Sequence, residues 1–281
     1  MSEIGKLYLV ATPIGNLDDI TFRAVKVLNE VDIIAAEDTR HSLKLLNHLE
    51  ISKPLISYHR HSEESKIELL ISKMLEGNNI AVITDAGTPA ISDPGEDLVK
   101  RAIEENIEII PIPGACALIN ALICSGMNTK EFSFYGFLPL NKKLRKAKFE
   151  QLRKDNKTII LYEAPHKIKQ TLEDILEELG DVKIVLAREL TKIHEEFIRG
   201  NVSEIIPKMV DIKGEMIIII DEKNMTSDEQ DISNLLNSLS LEEHYDYYKK
   251  QNMNKKDIIK KIAKDRGVNK NEIYMQTINF E

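Results

Sequence analysis

The sequence predicts an α/β protein assembled from strand–helix–strand units, in two successive blocks with a small helical tail. Three observations predict it. Short β-branched runs alternate with stretches of helical periodicity. Several of the strand-like runs end directly in Gly- and Pro-rich loops, as in parallel sheets whose ligand crevice lies beyond the carboxyl ends of the strands. A polar stretch, Glu222–Gln230, then separates this body from a lysine-rich C-terminal part.

Taken in order, the first block spans residues 1–127. Lys6–Ala11, Asp32–Ala36, Ile80–Thr84 and Ile107–Pro111 read as strands, and Asp19–Glu30 and Ser65–Glu76 as amphipathic helices. Ala117–Cys124 follows as an apolar helix. The short polar join Met127–Lys130 marks the boundary to a second block, 128–221. There Phe132–Phe137, Thr158–Tyr162, Lys183–Ala187, Glu195–Arg199 and Glu215–Ile220 read as strands. Lys142–Lys154 and His166–Leu179 read as helices, the latter stopped by Gly180. Residues 222–230 form a linker and 231–281 the tail, with helices expected at Asp231–Leu239, Glu242–Lys250, Lys255–Asp265 and Lys270–Gln276. Gly267 ends the third of these and Asn269 caps the fourth, a helix-turn-helix-like pairing.

Composition limits the function classes. With 42% hydrophobic and 30% charged residues the chain is that of a soluble globular protein. Its apolar runs, such as Met216–Ile220, fall far short of a membrane span, and no secretory signal is visible. Cys116 and Cys124 are the only cysteines, so neither a disulfide framework nor a metal site is expected, and the compartment is read as a reducing cytoplasm. The net charge of −8 is unevenly spread. Lys249–Lys270 carries nine Lys/Arg against two Asp, a net +7, and Asn141–Lys157 eight against two acids, a net +6, which leaves −21 elsewhere. An acidic body with two basic patches is the footprint of a polyanion partner. Either patch alone also fits an ordinary solvated helix face.

Four loops can carry chemistry. Thr12-Pro13-Ile14-Gly15-Asn16 joins the first strand to a helix, and Gly15 permits close backbone approach. Asp85–Gly95, with two Gly, two Pro and two Asp, is a rigid loop offering backbone groups to a ligand. In it Ser92 or Asp93 is expected to cap the helix after Pro94. Pro113-Gly114-Ala115-Cys116 opens an apolar helix, with Cys116 read as a packing or contact residue because no base adjoins it. Tyr162-Glu163-Ala164-Pro165-His166 follows a strand of the second block and sets an acid at a strand end. Charge also stands at strand ends in Ala35–Arg40, Ser57–His61 and Ala187–Lys192. His59 and His61 alternate without a third ligand, so zinc is not expected, although Arg40, His59 and Arg60 together suit a phosphate. Neither GxGxxG nor a P-loop occurs.

The segments LYLVATPIGNLDDIT, AEDTRHSLKLLNH, SYHRH, ITDAGTPAISDPG, PIPGACA, GFLP, YEAPHKI, ARELTKIHEEFIRG and KGEMIIII stand in this order. Together they resemble the ribosomal RNA small subunit methyltransferase I family of tetrapyrrole-methylase-like (class III) methyltransferases. The likeness is dense over residues 5–221 and extends to the basic tail. The resemblance implies two α/β domains with S-adenosylmethionine in the cleft between them, in a homodimer. It implies methyl transfer to the ribose 2′-OH of one cytidine in the decoding region of small-subunit rRNA, with free rRNA or the 30S subunit as partner. Matched positions for the cofactor are Thr12, Pro13, Gly15 and Asn16, then Asp85, Ala86, Gly87, Thr88, Ser92 and Asp93. Gly114, Ala115, Cys116, Tyr162, Ala164, Gly214 and Glu215 complete the set. Ala115-Cys116 departs from the family's frequent Pro-Ser, so a serine hydroxyl contact is not available there.

A ribose hydroxyl is a poor nucleophile and needs its proton removed or polarised. Glu163 and Glu189 are the catalytic candidates, with Asp38 as a third carboxylate and Arg188 as an orienting cation. A same-fold methylase of tetrapyrroles or protein side chains would explain the loops but not the basic patches. A DNA-binding regulator using the tail would leave the loops idle, and a dinucleotide oxidoreductase lacks its glycine fingerprint.

Overall fold

The structure, a computed structural model, describes residues 3–59, 64–210, 212–221, 236–251, 253–278 and 280. The first sheet contains β1 (Leu7–Val10), β2 (Ile33–Ala36), β3 (Leu55–Ser57), β4 (Ile80–Ile83) and β5 (Ile109–Ile112), in the order β3-β2-β4-β1-β5. Every strand pairing in it is parallel. Helices α1 (Phe22–Glu30), α2 (Thr39–His48), α3 (Glu64–Leu75) and α4 (Glu96–Glu104) supply the crossovers. The inner strands β2 and β4 are buried throughout, as expected of a parallel sheet covered on both faces, whereas the edge strands β3 and β5 are only partly buried. Leu7, Val82 and Leu98 belong to one core layer and Val10, Leu28, Ile34 and Ile83 to the other.

The second sheet is mixed. Its strands β6 (Phe132–Phe137), β7 (Thr158–Glu163), β8 (Lys183–Arg188), β9 (Glu196–Asn201) and β10 (Met216–Ile220) stand in the order β6-β7-β10-β8-β9. Only β6–β7 is parallel; β7–β10, β10–β8 and β8–β9 are antiparallel. The expectation of a mostly parallel arrangement therefore fails in this block. The physical reason is loop length: residues 189–195 are too few for a crossover, so β9 must turn back against β8. Helices α6 (Lys142–Leu152) and α7 (Ile168–Leu179) cover one face, burying Phe149, Leu152, Leu172 and Ile175 with Ile159, Leu161 and Ile218. The other face is covered by α5 (Ala117–Ser125), whose Leu118, Ala121 and Leu122 pack on Ile160, Val185 and Ile217. The first block by sequence thus lends a helix to the second sheet.

Helix α2 escapes the sequence pattern and is capped by the Asp38 side chain accepting from the Arg40 N–H, whereas β3 ends at Ser57, where a strand end is expected. The expected cap of α4 is corrected. The helix starts at Glu96, and its N-cap position is Gly95, with φ 142°, not Ser92 or Asp93. The tail forms helices Leu241–Lys249, Lys255–Asp265 and Lys270–Gln276 around Leu236, Tyr245, Ile258, Ile262 and Ile273. Gly267 takes φ +64° between the last two, and the Asn269 side chain accepts from the Asn271 N–H. The linker 222–230 and most of the expected helix 231–239 lie outside the described residues. Among the described residues no helix is long and apolar enough to cross a membrane, and no His/Cys/Asp/Glu cluster suits a metal.

Candidate active site

Parallel pairing brings the carboxyl ends of β1, β4 and β5 to one edge, so the loops 11–16, 84–95 and 113–116 meet there. The second sheet presents a matching edge. Glu163 ends β7, Met216 begins β10 and Arg188 ends β8, and the three are direct neighbours in register. Between the two edges lies a cavity of about 270 Å³. From the first block Ile14, Glu37, Asp85–Thr88, Ile91–Asp93, Cys116 and Ala117 line it. From the second come Phe137, Tyr162, Glu163, Ala187, Glu189, Leu190, Lys192 and Glu215–Ile217.

Backbone and hydroxyl bonds tie the loops into one unit. Thr12 N–H donates to Gly87 O at 2.9 Å and Gly87 N–H to Thr12 O at 3.1 Å. The Thr12 hydroxyl donates to Thr84 O at 3.2 Å, and that of Thr88 to Ala115 O at 3.0 Å. The two blocks interlock where Asn16 N–H donates to Thr191 Oγ1 at 3.0 Å. Gly15 is needed at that contact, because a Cβ there would lie 2.8 Å from Leu190 O and 2.8 Å from Thr191 Oγ1. Ala90, Ser92, Glu189 and Thr191 hold φ between 49° and 68°, a left-handed region costly for side chains. Such strain, about 1–3 kcal/mol per residue, persists where surrounding structure overdetermines it and gathers at functional sites.

The lining is strongly acidic. Among the described residues Glu37, Asp85, Asp93, Glu163, Glu189 and Glu215 face a single cation, Lys192. Glu163 is buried; its Oε1 accepts from the Ala164 N–H at 2.8 Å and its Oε2 from the Thr171 hydroxyl at 2.5 Å. Glu189 is tied to the Lys192 ammonium at 3.0 Å. Asp85 Oδ1 accepts from the Asp38 N–H at 3.1 Å. Tyr162 packs edge-on against Phe134 and Phe137, and its hydroxyl accepts from the Leu118 N–H at 3.2 Å. Burial, first of several causes, pushes its phenol pKa up, so it stays protonated at neutral pH.

Of the residues matched to a cofactor role, Asp85, Ala86, Gly87, Thr88, Ser92, Asp93, Cys116, Tyr162 and Glu215 line the cavity. Thr12, Gly15, Asn16, Gly114, Ala115 and Ala164 do not line it. Thr12 is buried in the loop bridge, and a Cβ on Gly114 would come 2.9 Å from that of Ala11. Pro13 shares with Asp85 a smaller neighbouring cleft of about 130 Å³. Gly214, at φ +86°, backs directly onto Glu189, and an added Cβ would overlap that carboxylate. Among the catalytic candidates Glu163 and Glu189 line the cavity, whereas Arg188 does not. Arg188 bonds Glu196 at 2.6 Å across β8–β9 and faces a separate groove with Arg199 and Lys208. Asp38 is engaged by Arg40 at 2.9 Å, which holds its carboxyl at about 2, and it caps α2 instead of lining the cavity. Arg60 and His61 lie outside the described residues. Sequence reasoning misses Ile14, Ile91, Phe137 and Ile217, apolar walls with no chemical signature. Ile14 and Ile91, in loops after β1 and β4, and Phe137, at the end of β6, carry only a positional signal, and Ile217 carries none.

The profile of the Tetrapyrrole (Corrin/Porphyrin) Methylases matches residues 6–206. The ribosomal RNA small subunit methyltransferase I of Halalkalibacterium halodurans is 47% identical over 272 residues, covering 96% of this chain and 93% of that one. That of Bacillus subtilis is 46% identical over 275 residues, with 97% and 94% covered. Among solved structures, cobalt precorrin-4 methyltransferase, a cobalamin biosynthetic enzyme, superposes with a TM-score of 0.58 at 18% identity, covering 78% of this chain and 95% of that one. Uroporphyrin-III-C-methyltransferase from Thermus thermophilus gives a TM-score of 0.55 at 19% identity, covering 80% and 98%. Near-complete coverage at this identity places the cavity loops in a single lineage, and the chain belongs to the ribosomal RNA small subunit methyltransferase I family, with the tetrapyrrole methylase fold.

Proposed function

We propose that this protein is an S-adenosylmethionine-dependent methyltransferase of the cytoplasm, acting as a homodimer on the ribose 2′-OH of a cytidine in the decoding region of small-subunit rRNA. The observation that carries the reading is the cavity, where six carboxylates face one ammonium between the two sheets. Such a lining selects a cation and rejects phosphate. S-adenosylmethionine is a cation, with a sulfonium and an α-ammonium, and when bound it supplies an electrophilic methyl group.

The residues present suit it. The loop 85–93, Cys116, Tyr162 and Glu215 would hold it, with Ile14, Leu190 and Ile217 as apolar walls. The loops are strained and cross-bonded, so they do not need to reorganise during reaction, and fixed orientation alone can supply much of a rate enhancement. Glu163 is the favoured group to take or polarise the hydroxyl proton. It is buried and fixed by two donors, which leaves lone pairs for a third partner. Glu189 is committed to Lys192 and serves better as a wall. The RNA backbone must stay outside this acidic cavity. The exposed Lys142, Lys143 and Lys146 of α6, and the exposed Lys256, Lys260 and Lys264 of the tail, offer it a basic surface.

The test is tritium transfer from labelled S-adenosylmethionine to small-subunit RNA and to 30S particles, with nucleotide mapping. One 2′-O-methylcytidine is expected. Tight donor binding without transfer to either RNA form would redirect the reading to another acceptor.

A further inference from the structure

Glu163 is not held by its own loop alone. A chain of hydrogen bonds leads from it, away from the cavity, into the basic helix α6. Its Oε2 accepts from the hydroxyl of Thr171, a buried residue of α7. The same hydroxyl oxygen accepts from Arg145 Nη2 at 2.8 Å. Arg145 Nε in turn donates to Asp174 Oδ2 at 2.6 Å, and Gln170 donates to the other oxygen of Asp174 at 2.8 Å.

The polarity of this chain is fixed by donor count. A guanidinium only donates, so Arg145 occupies the acceptor side of the Thr171 oxygen. The single threonine proton is then directed at Glu163. Bonds to ionised groups at both ends make the link stronger than one between neutral groups. By sequence Arg145 belongs to the basic run 141–157, yet its side chain is only 16% exposed and its guanidinium lies 5.8 Å from the Phe149 ring. Lys142, Lys143 and Lys146 beside it are exposed.

We infer that Arg145 and Thr171 are positioning residues for the reaction: they lock the carboxylate of Glu163 in one orientation in the cavity, and Arg145 is not a phosphate contact. The inference rests on the role proposed for Glu163. It assigns two functions to one helix, with lysines turned to the RNA and one arginine turned to the chemistry.

The hydroxyl is tested by Thr171→Val, which keeps the volume and removes the donor, against Thr171→Ser, which keeps the donor. Single-turnover methylation of 30S particles, the KM for those particles, donor affinity and Tm are measured for each. Thr171→Val should slow the single turnover on the order of 10- to 100-fold, the scale of a misplaced reacting group, with KM unchanged. Thr171→Ser should retain most of the rate. In a Glu163→Gln background Thr171→Val should add no further loss, because both act through one carboxylate. Arg145→Lys should slow turnover while the salt dependence of RNA binding stays that of the wild type. If Glu163→Gln slows turnover and Thr171→Val does not, or if the two losses multiply in full, the inference falls and the role of Glu163 stands. If Glu163→Gln turns over at the wild-type rate, that role falls and the inference with it.

Discussion

Gly214→Ala tests how the cavity wall is built. Gly214 stands at φ +86°, and an added Cβ would overlap the Glu189 carboxylate. Two costs follow. A left-handed backbone costs an L-residue about 1–2 kcal/mol relative to glycine. Glu189 must also swing off its rotamer, at about 0.5–1.5 kcal/mol, and give up its bond to Lys192. That bond is exposed enough to contribute at most about 1 kcal/mol. The combined loss is about 1.5–4.5 kcal/mol, and at roughly 2–4 °C per kcal/mol for a protein of this size Tm should fall by about 3–18 °C. Donor affinity, read by calorimetry, should fall as well, because Glu189 and Glu215 both line the cavity. The two costs separate in Gly214→Ala/Glu189→Ala, which removes the collision and keeps the backbone strain. This double variant should regain part of the lost Tm relative to Gly214→Ala. Wild-type Tm and donor affinity in Gly214→Ala would refute the apposition of Gly214 and Glu189.

Three other perturbations probe the basic helix, the tail and the second core. Replacing Lys142, Lys143 and Lys146 by Ala should flatten the dependence of log affinity on log salt by about 0.7 for each phosphate of single-stranded RNA that is no longer neutralised, and filter binding at several salt concentrations would show an unchanged slope if α6 does not touch RNA. His244 is fully buried in the tail; its Nδ1 accepts from Arg266 Nε at 3.2 Å and its Nε2 faces Asp265 at 3.3 Å. Burial, and then the Arg266 charge, outweigh Asp265 and hold its pKa below the ordinary histidine value. The unfolded tail therefore binds a proton that the folded tail refuses, so tail stability is complete above the ordinary value and declines as pH falls below it. Proteolytic release of the tail from the full chain should accelerate from about pH 7 to about pH 5, and a pH-independent rate would contradict this. Phe149→Ala should cost about 3–5 kcal/mol in urea unfolding, because Phe149 is 1% exposed and anchors α6 in the second core, and a loss under about 1 kcal/mol would exclude that packing.

Much of the site is legible from strand ends. Glycine, proline and aspartate directly after a β-branched run mark a loop at a sheet edge, and Asp85–Thr88, Ser92 and Asp93 carry that mark in the sequence and line the cavity in the fold. Glu163 obeys the same rule, as an acid at the end of β7. The apolar lining is not legible. Ile14, Ile91 and Ile217 have the composition of ordinary core residues, and only the apposition of two sheets turns them into cavity wall. Arg188 and Glu189 show the limit of adjacency. They are neighbours in sequence, yet Arg188 pairs across β8–β9 and Glu189 turns into the cavity at φ 49°.

By itself the sequence determined what depends on near neighbours. Strand and helix identity follow from periodicity, the Gly267 stop and Asn269 cap from local backbone chemistry, and the two basic patches from simple counting. Tertiary structure decided what depends on distant partners. In the strand order β6-β7-β10-β8-β9, β10 lies between β7 and β8 and antiparallel to both, an arrangement no local pattern encodes. The same holds for Arg145. Its charge placed it in a basic surface, and only packing of α6 on α7 turned it inward to Thr171 and, through that hydroxyl, to Glu163. A side chain's charge is a local property, whereas its role depends on which groups the fold brings within hydrogen-bonding distance, and that is fixed across the chain.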